Sequence, residues 1–151
     1  MPQTYSDGKK IYSVDMMFAY INLSKPKHVV VDVAKYLRTL EFDGWGDPAK
    51  GIKFTPLDVI KNPDKKMYQD DMKRIKNADL KYPIIIAGNY IVDGVHRLAK
   101  AHLTNKKKIK AYVFTGDLLK KFLINSQGDW DKIDKYQTYD FIEMYCKRFC
   151  I

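Results

Sequence analysis

Cysteine and arginine are scarce in this 151-residue chain, and it has no long apolar run. The only cysteines, Cys146 and Cys150, lie one helical turn apart, a spacing that does not favour a structural disulfide, and two thiols alone do not make a zinc site. No apolar run approaches the roughly 20 residues of a membrane-spanning helix, and the N-terminal segment lacks the apolar stretch of a secretory signal. We therefore expect a soluble, intracellular (cytoplasmic) protein with free thiols and no membrane partner.

Lysine supplies most of the net charge of +9, because only Arg38, Arg74, Arg97 and Arg148 are arginines. An excess of lysine favours anionic partners such as nucleic acid, nucleotides or phosphorylated metabolites. It indicates little specificity, because base-specific reading of DNA prefers arginine. A basic surface that merely faces solvent explains the same composition, so the charge alone names no function.

Strand-like and helix-like patterns follow one another along the chain, and its length favours a single domain over 1–151. Residues 11–22 are rich in β-branched, aromatic and apolar types, which predicts a strand. Apolar residues on one face predict a helix over 33–40, capped by Asp32, and a glycine-rich loop follows it. A last aromatic helix is predicted over about 138–149.

A predicted hairpin followed by a helix is the most informative part of the sequence. Two β-type runs, 83–87 and 90–93, flank Gly88-Asn89, a two-residue loop that is typical of a tight hairpin. A helix over about 95–104 follows directly, and its spacing predicts that Val95, Leu98, Ala99 and Leu103 are buried.

The start of that helix carries His96 and Arg97 in its first turn, after Asp93-Gly94. A helix start is the positive end of the helix dipole, so two cationic side chains are disfavoured there unless an anion lies between them. Free backbone N–H groups would bind the same anion, which predicts a phosphate site. A structural explanation stays open: Asp93 caps the helix and pairs with Arg97, while Gly94 eases the corner.

The order of hairpin, Asp-Gly-x-His-Arg, helix, basic turn and strand resembles the core of the ParB/sulfiredoxin-like superfamily. The likeness covers about 82–114 well and extends weakly back to residue 11. It implies an α/β (α+β) fold with a small, mixed and mostly open sheet, flanking helices and here an extra C-terminal helix. The core would span about 11–114, the helical extension 115–151, and a nucleotide would bind at the helix start.

Branches of the superfamily differ at the position that Val95 occupies. Sulfiredoxins resemble Gly-Gly-Cys-His-Arg here and use the cysteine as nucleophile, so Val95 argues strongly against sulfinic acid reduction. The ParB proteins of DNA partitioning resemble Gly-Glu-Arg-Arg, and the departures at Val95 and His96 put CTP hydrolysis of their type in doubt. The free serine kinases are similar at Asp-Gly-His-His-Arg and move a phosphoryl group from a nucleotide.

The resemblance implies a nucleotide such as ATP, ADP or CTP, with Mg²⁺ carried by its phosphates. The phosphate ligands would be Asp93, Gly94, His96 and Arg97, with Lys100 one turn further along the helix. A phosphorylated small molecule would bind through the same groups.

Glu41, Asp43 and His96 are the candidate catalytic residues. Glu41 and Asp43 lie between the predicted helix and the glycine loop, where a carboxylate would orient an attacking hydroxyl and accept its proton. Solvated loop charges are the plain alternative for both carboxylates. Trp45, in the same loop, would either stack on a base or fill the edge of the core.

Three functions stay open. The favoured one is a nucleotide-phosphate-binding domain that acts as a phosphotransferase or NTP hydrolase. The alternative is a lysine-rich module that binds DNA or RNA, with ParB-like nuclease activity, through Lys106, Lys107, Lys108 and Lys110. The third is an inert interaction scaffold whose contact surface is the aromatic C-terminal helix. The base, the acceptor and the oligomeric state are not predicted.

Overall fold

A computed structural model describes residues 3–126 and 133–150, and the fold mixes α-helices with β-strands, as predicted. These residues form two compact units. The first joins the described residues up to Lys27 with those from Phe114 onward, and the second is His28–Val113. The motif with His96 and Arg97 belongs to the second unit. A single domain over 1–151 stays a prediction.

The strands and helices of the described residues are numbered from the N-terminus. The described strands are β1 (Thr4–Ser6), β2 (Lys10–Ser13), β3 (Val29–Asp32), β4 (Trp45–Asp47), β5 (Ile52–Phe54), β6 (Ile84–Ala87), β7 (Tyr90–Asp93), β8 (Lys108–Phe114) and β9 (Leu123–Ser126). The described α-helices are α1 (Val14–Ser24), α2 (Pro56–Lys61), α3 (Gln69–Asn77), α4 (Val95–Leu103), α5 (Gly116–Lys120) and α6 (Thr138–Phe149). Short 3-10 helices cover Val33–Glu41, Pro48–Lys50 and Lys66–Tyr68.

The first unit contains a three-stranded sheet in the order β1-β2-β9. The strand predicted over 11–22 is wrong beyond Ser13, because a helix begins there. The hydroxyl of Ser13, fully buried, accepts a hydrogen bond from the amide of Met16 at 3.1 Å, which caps α1. The aromatic helix predicted near the C-terminus is confirmed as α6, whose Phe141 and Tyr145 are buried.

The second unit contains a four-stranded sheet in the order β3-β8-β6-β7. The predicted hairpin is confirmed as β6 and β7, and Gly88 in its loop has a φ of 64°. The helix predicted after it is confirmed as α4, although Leu103 is 39% exposed and Ala101 is buried in its place. Helices α2, α3 and α4 contribute to one apolar core with β6 and β8.

The segment predicted as a helix over 33–40 is a 3-10 helix over Val33–Glu41. Its apolar spacing predicted a buried face of Val33, Tyr36, Leu37 and Leu40, and all of these are buried except Leu37, which is partly buried. Asp32 precedes it but makes no side-chain cap bond; its carboxylate accepts a hydrogen bond from Lys108 Nζ instead. The following glycine-rich loop holds the antiparallel pair β4 and β5, which begins at Trp45.

Within the described chain, no helix has both the length and the apolar character that crossing a membrane requires.

Candidate anion site at the start of α4

Gly94 shapes the corner between β7 and α4. Its φ of 105° lies in the region that residues with a Cβ avoid. A Cβ at this position would also lie 2.5 Å from Ile84 Cγ2 and 3.2 Å from Ile84 Cα. The helix start therefore packs directly on β6, and only glycine allows that approach.

No side chain of a described residue caps α4. Gly94 is the residue at the cap position, so the expectation that Asp93 caps the helix is wrong. The backbone N–H of Leu98 donates to the carbonyl of Gly94 at 3.0 Å, which closes the first turn. The N–H groups of Val95, His96 and Arg97 make no hydrogen bond with any described residue. The positive end of the helix is therefore open to an anion.

Arg97 is held by the protein on one side of its guanidinium. One terminal nitrogen donates to Asp93 Oδ2 at 2.7 Å, and the other donates to the carbonyls of Tyr82 and Pro83 at 3.1 and 2.7 Å. The side chain is 19% exposed. A guanidinium has five N–H donors, so two of them, including Nε–H, have no partner among the described residues. Arg97 thus has a structural role and keeps donors for a further acceptor.

His96 is fixed by two contacts. Its Nε2 lies 3.1 Å from Asp71 Oδ1 in α3. The indole of Trp45 stacks on the face of the ring, with 4.5 Å between centroids and 19° between planes. The His96 and Asp71 side chains are 30% and 20% exposed, so the pair lies at the edge of the core.

Lys100 lies one turn after His96 but is drawn away from the helix start. Its ammonium donates to the carbonyls of Lys76 and Ala78 at the end of α3, at 2.9 and 2.6 Å. Asp71 belongs to the first turn of α3, so α3 and α4 run side by side in the same direction. From Asp71 to Lys76 the axis rises about 7.5 Å. Lys100 caps α3, and the structure does not bring it to His96.

Glu41 and Asp43 are both exposed, and neither makes a hydrogen bond or ion pair with another described residue. Asp43 lies two positions before Trp45, so the loop that carries it leads up to the imidazole of His96. The structure therefore brings Trp45 to the site directly and leaves the two predicted carboxylates in solvent. Their catalytic role stays a prediction.

Sequence reasoning missed Asp71, the carboxylate that contacts His96. The only signal was a pair of acidic residues, Asp70 and Asp71, in the first turn of a helix. Acidic side chains stabilise the start of any helix, so this pair did not indicate a site. No local pattern links that turn to His96.

The other predicted basic residues lie at the opposite end of α4. Lys106 and Lys107 are exposed and make no ion pair with a described residue, whereas Lys108 pairs with Asp32. Lys110 is partly buried in β8 opposite Val30. A groove of about 430 Å³ lies beside this end, and its lining residues include Lys35, His102, Asn105, Lys106 and Lys107.

Neither a metal-ligand cluster nor a cysteine contributes to the described residues at the start of α4. Across residues 3–126 and 133–150, no group of three or more His, Cys, Asp or Glu side chains is placed to hold a metal ion. Cys146 and Cys150 are exposed, and both belong to the first unit.

Comparison with protein-family models, with curated proteins and with solved structures finds no match. The resemblance to the ParB/sulfiredoxin-like superfamily therefore rests on the Asp93–Arg97 motif and its hairpin-helix context alone, and it stays a prediction.

Proposed function

We propose that the protein binds a nucleotide by its phosphates at the start of α4 and acts as a phosphotransferase or NTP hydrolase. One observation carries this proposal: three free N–H donors at an uncapped helix start lie beside an imidazole that Asp71 and Trp45 hold in one orientation. Helix starts of this kind favour phosphate through their dipole and their N–H groups together. Gly94 supports the proposal indirectly, because the absence of a Cβ lets the helix start pack on Ile84 in this position.

The charges around the helix start allow an anion despite two nearby carboxylates. Asp93 accepts a hydrogen bond from Arg97, which balances its charge, and Asp71 contacts His96, which balances the charge of Asp71 when the ring is protonated. The second unit, His28–Val113, has seventeen Lys and Arg residues against ten Asp and Glu. Both starts of the neighbouring helices α3 and α4 lie at this end, so their dipoles reinforce each other.

Ligand binding is tested by thermal unfolding and calorimetry with ATP, ADP, CTP, GTP and inorganic phosphate, each with and without Mg²⁺. A ligand at 100 times its Kd should raise the free energy of unfolding by about 2.7 kcal/mol. In its protonated form His96 donates Nδ1–H to a phosphate oxygen, so His96→Ala should weaken binding by about 1.5–3 kcal/mol, the range for hydrogen bonds to charged groups. His102→Ala, a histidine change at the other end of the same helix, should bind as the parent does. If no nucleotide and no phosphate shifts unfolding, the proposal fails.

A second candidate function is sequence-independent binding of DNA or RNA at the C-terminal end of α4. The observation that favours it is the exposure of Lys106 and Lys107 without ion-pair partners, next to the groove that Lys35 also lines. Unpaired lysines release counterions when they contact phosphates, which gives affinity without base reading. Electrophoretic mobility shifts of duplex DNA, titrated at several salt concentrations, measure this binding.

A further inference from the structure

We propose that His96 is a phosphoryl acceptor: its Nδ1 takes the terminal phosphoryl group of a bound nucleoside triphosphate and forms a phosphohistidine. This inference rests on the proposed function, because the donor is the nucleotide bound at the start of α4. It departs from the carboxylates Glu41 and Asp43, which the structure leaves in solvent. It goes further by assigning a covalent step to one atom.

The hydrogen bond to Asp71 decides which ring nitrogen is available. A carboxylate only accepts hydrogen bonds, so the proton of the neutral imidazole lies on Nε2, 3.1 Å from Asp71 Oδ1. The lone pair is then on Nδ1, which has no partner among the described residues. A histidine whose second nitrogen is fixed by a carboxylate has the arrangement of an activated nucleophile.

The stacked tryptophan restricts the ring without covering that atom. Trp45 covers a face of the imidazole, whereas the Nδ1 lone pair lies in the ring plane. Attack on phosphorus uses the in-plane lone pair, so the stack limits ring rotation without occupying the plane of that lone pair. The partial exposure of the His96 side chain, 30%, gives a phosphate access to it.

Phosphoryl transfer to Nδ1 of His96 exchanges one bond at phosphorus for another. The Nδ1 lone pair forms a bond to the terminal phosphorus, and the bond from that phosphorus to the bridging oxygen breaks, with its electron pair leaving on the nucleoside diphosphate. The proton stays on Nε2, so the ring becomes positively charged, and the carboxylate of Asp71 stabilises that charge. Nδ1 is covalently close to the backbone of its own residue, so the phosphoryl oxygens lie near the free N–H groups of the first turn.

The experiment incubates the full chain with Mg²⁺ and ATP, CTP or GTP in turn, and it measures intact mass at neutral pH. We expect a gain equal to one phosphoryl group, located on His96 by peptide mapping without acid, and a label that is lost in acid and stable in base. His102→Ala is the matched control and should be labelled like the parent. His96→Asn, with folding checked by circular dichroism, should not be labelled. Because peptide mapping uses the parent protein, the result does not depend on any variant folding.

Asp71→Asn tests the positioning role of the carboxylate. This variant should slow labelling by at least about tenfold, because an amide no longer fixes the proton on Nε2 or balances the ring charge. The slower labelling should persist at saturating nucleotide, because the change acts on the transfer step, whereas a variant that had only lost binding would recover the parental rate there. Labelling of Asp71→Asn at the parental rate overturns the role of Asp71.

Two outcomes separate this inference from the proposed function. Nucleotide binding without any phosphoryl label, or with a label on a residue other than His96, overturns the phosphohistidine and leaves nucleotide binding intact. Absence of both binding and label overturns both proposals.

Discussion

The two ends of α4 both carry basic residues, but the protein treats them differently. At the N-terminal end, His96 and Arg97 are partly buried, and each is matched by a carboxylate. At the C-terminal end, Lys106 and Lys107 are exposed and have no ion-pair partner in the described residues. The N-terminal end therefore holds its basic side chains in a fixed geometry, whereas the C-terminal end only concentrates positive charge.

This difference separates two kinds of anion binding. A fixed donor set selects a ligand by geometry, because little side-chain entropy is lost when the ligand binds. A set of mobile lysines attracts any polyanion through counterion release and discriminates little between ligands. We therefore assign the proposed phosphate ligand to the N-terminal end of α4 and the alternative, nucleic acid, to its C-terminal end.

The largest expected effect compares the residues that turn the chain at each end. Gly94→Ala introduces a Cβ into a left-handed backbone and against Ile84, and we expect a loss of about 2–5 kcal/mol in the free energy of unfolding. Asn105, at the other end, has a φ of 58° and already carries a Cβ, so Asn105→Ala should cost less than about 1 kcal/mol. Urea titration measures both. Equal losses of stability in the two variants would show that the N-terminal end of α4 is no more tightly packed than its C-terminal end.

Arg97→Ala is expected to have the next largest effect on stability. The change removes three hydrogen bonds and leaves Asp93 without its partner, so we expect a loss of about 2–4 kcal/mol. Lys108→Ala, which breaks the exposed pair with Asp32, should cost about 0–1 kcal/mol. A stable Arg97→Ala protein would show that the guanidinium is not a structural link, contrary to the contacts described above.

The nucleic-acid hypothesis depends on the exposed lysines at the C-terminal end of α4. If duplex DNA binds there, Lys106→Gln with Lys107→Gln should reduce the slope of log affinity against log salt by about 1.8. Lys9→Gln with Lys27→Gln, the same charge change in the first unit, should leave that slope as it is. His96→Ala should also leave it unchanged. Loss of DNA binding in His96→Ala alone would place the polyanion at the wrong end of α4 for this proposal.

Lys100→Met should have the smallest effect. The variant keeps the apolar stem but loses two hydrogen bonds to the end of α3, so we expect a loss of about 1 kcal/mol in stability. Nucleotide affinity should match that of the parent, because the ammonium lies away from the helix start. A tenfold drop in affinity, about 1.4 kcal/mol, would restore Lys100 as a phosphate ligand.

Local signals were enough to predict the hairpin and the helix after it. A two-residue Gly-Asn loop between β-type runs and a 3.6-residue apolar period act within a short window, which is why β6, β7 and α4 were predicted correctly. Residues 11–22 were mistaken for a strand because their β-branched and aromatic content outweighed one serine. That serine, buried as the cap of α1, starts the helix.

The contacts of the candidate site were only partly predictable. The pair of Asp93 and Arg97 lies four positions apart on one helical turn, so the sequence offered it as an explanation. Asp71 and Trp45 reach His96 from elements that are distant in the chain, and no periodicity or spacing encodes such a meeting. The hydrogen bonds of Lys100 to the end of α3 were unpredictable for the same reason.

The hydrogen bond between Asp71 and His96 joins residues 25 positions apart, and Trp45 comes from farther still along the chain. A peptide cut to residues 82–114 would contain the complete motif, yet it would lack both groups that immobilise the imidazole. The site is thus a product of cooperative tertiary folding. A ligand that needs it binds the native state and not the unfolded chain, so mass action protects α3 and the β4–β5 pair as well as α4. Hydrogen exchange in those distant elements should slow when the ligand is added, although neither element carries the motif.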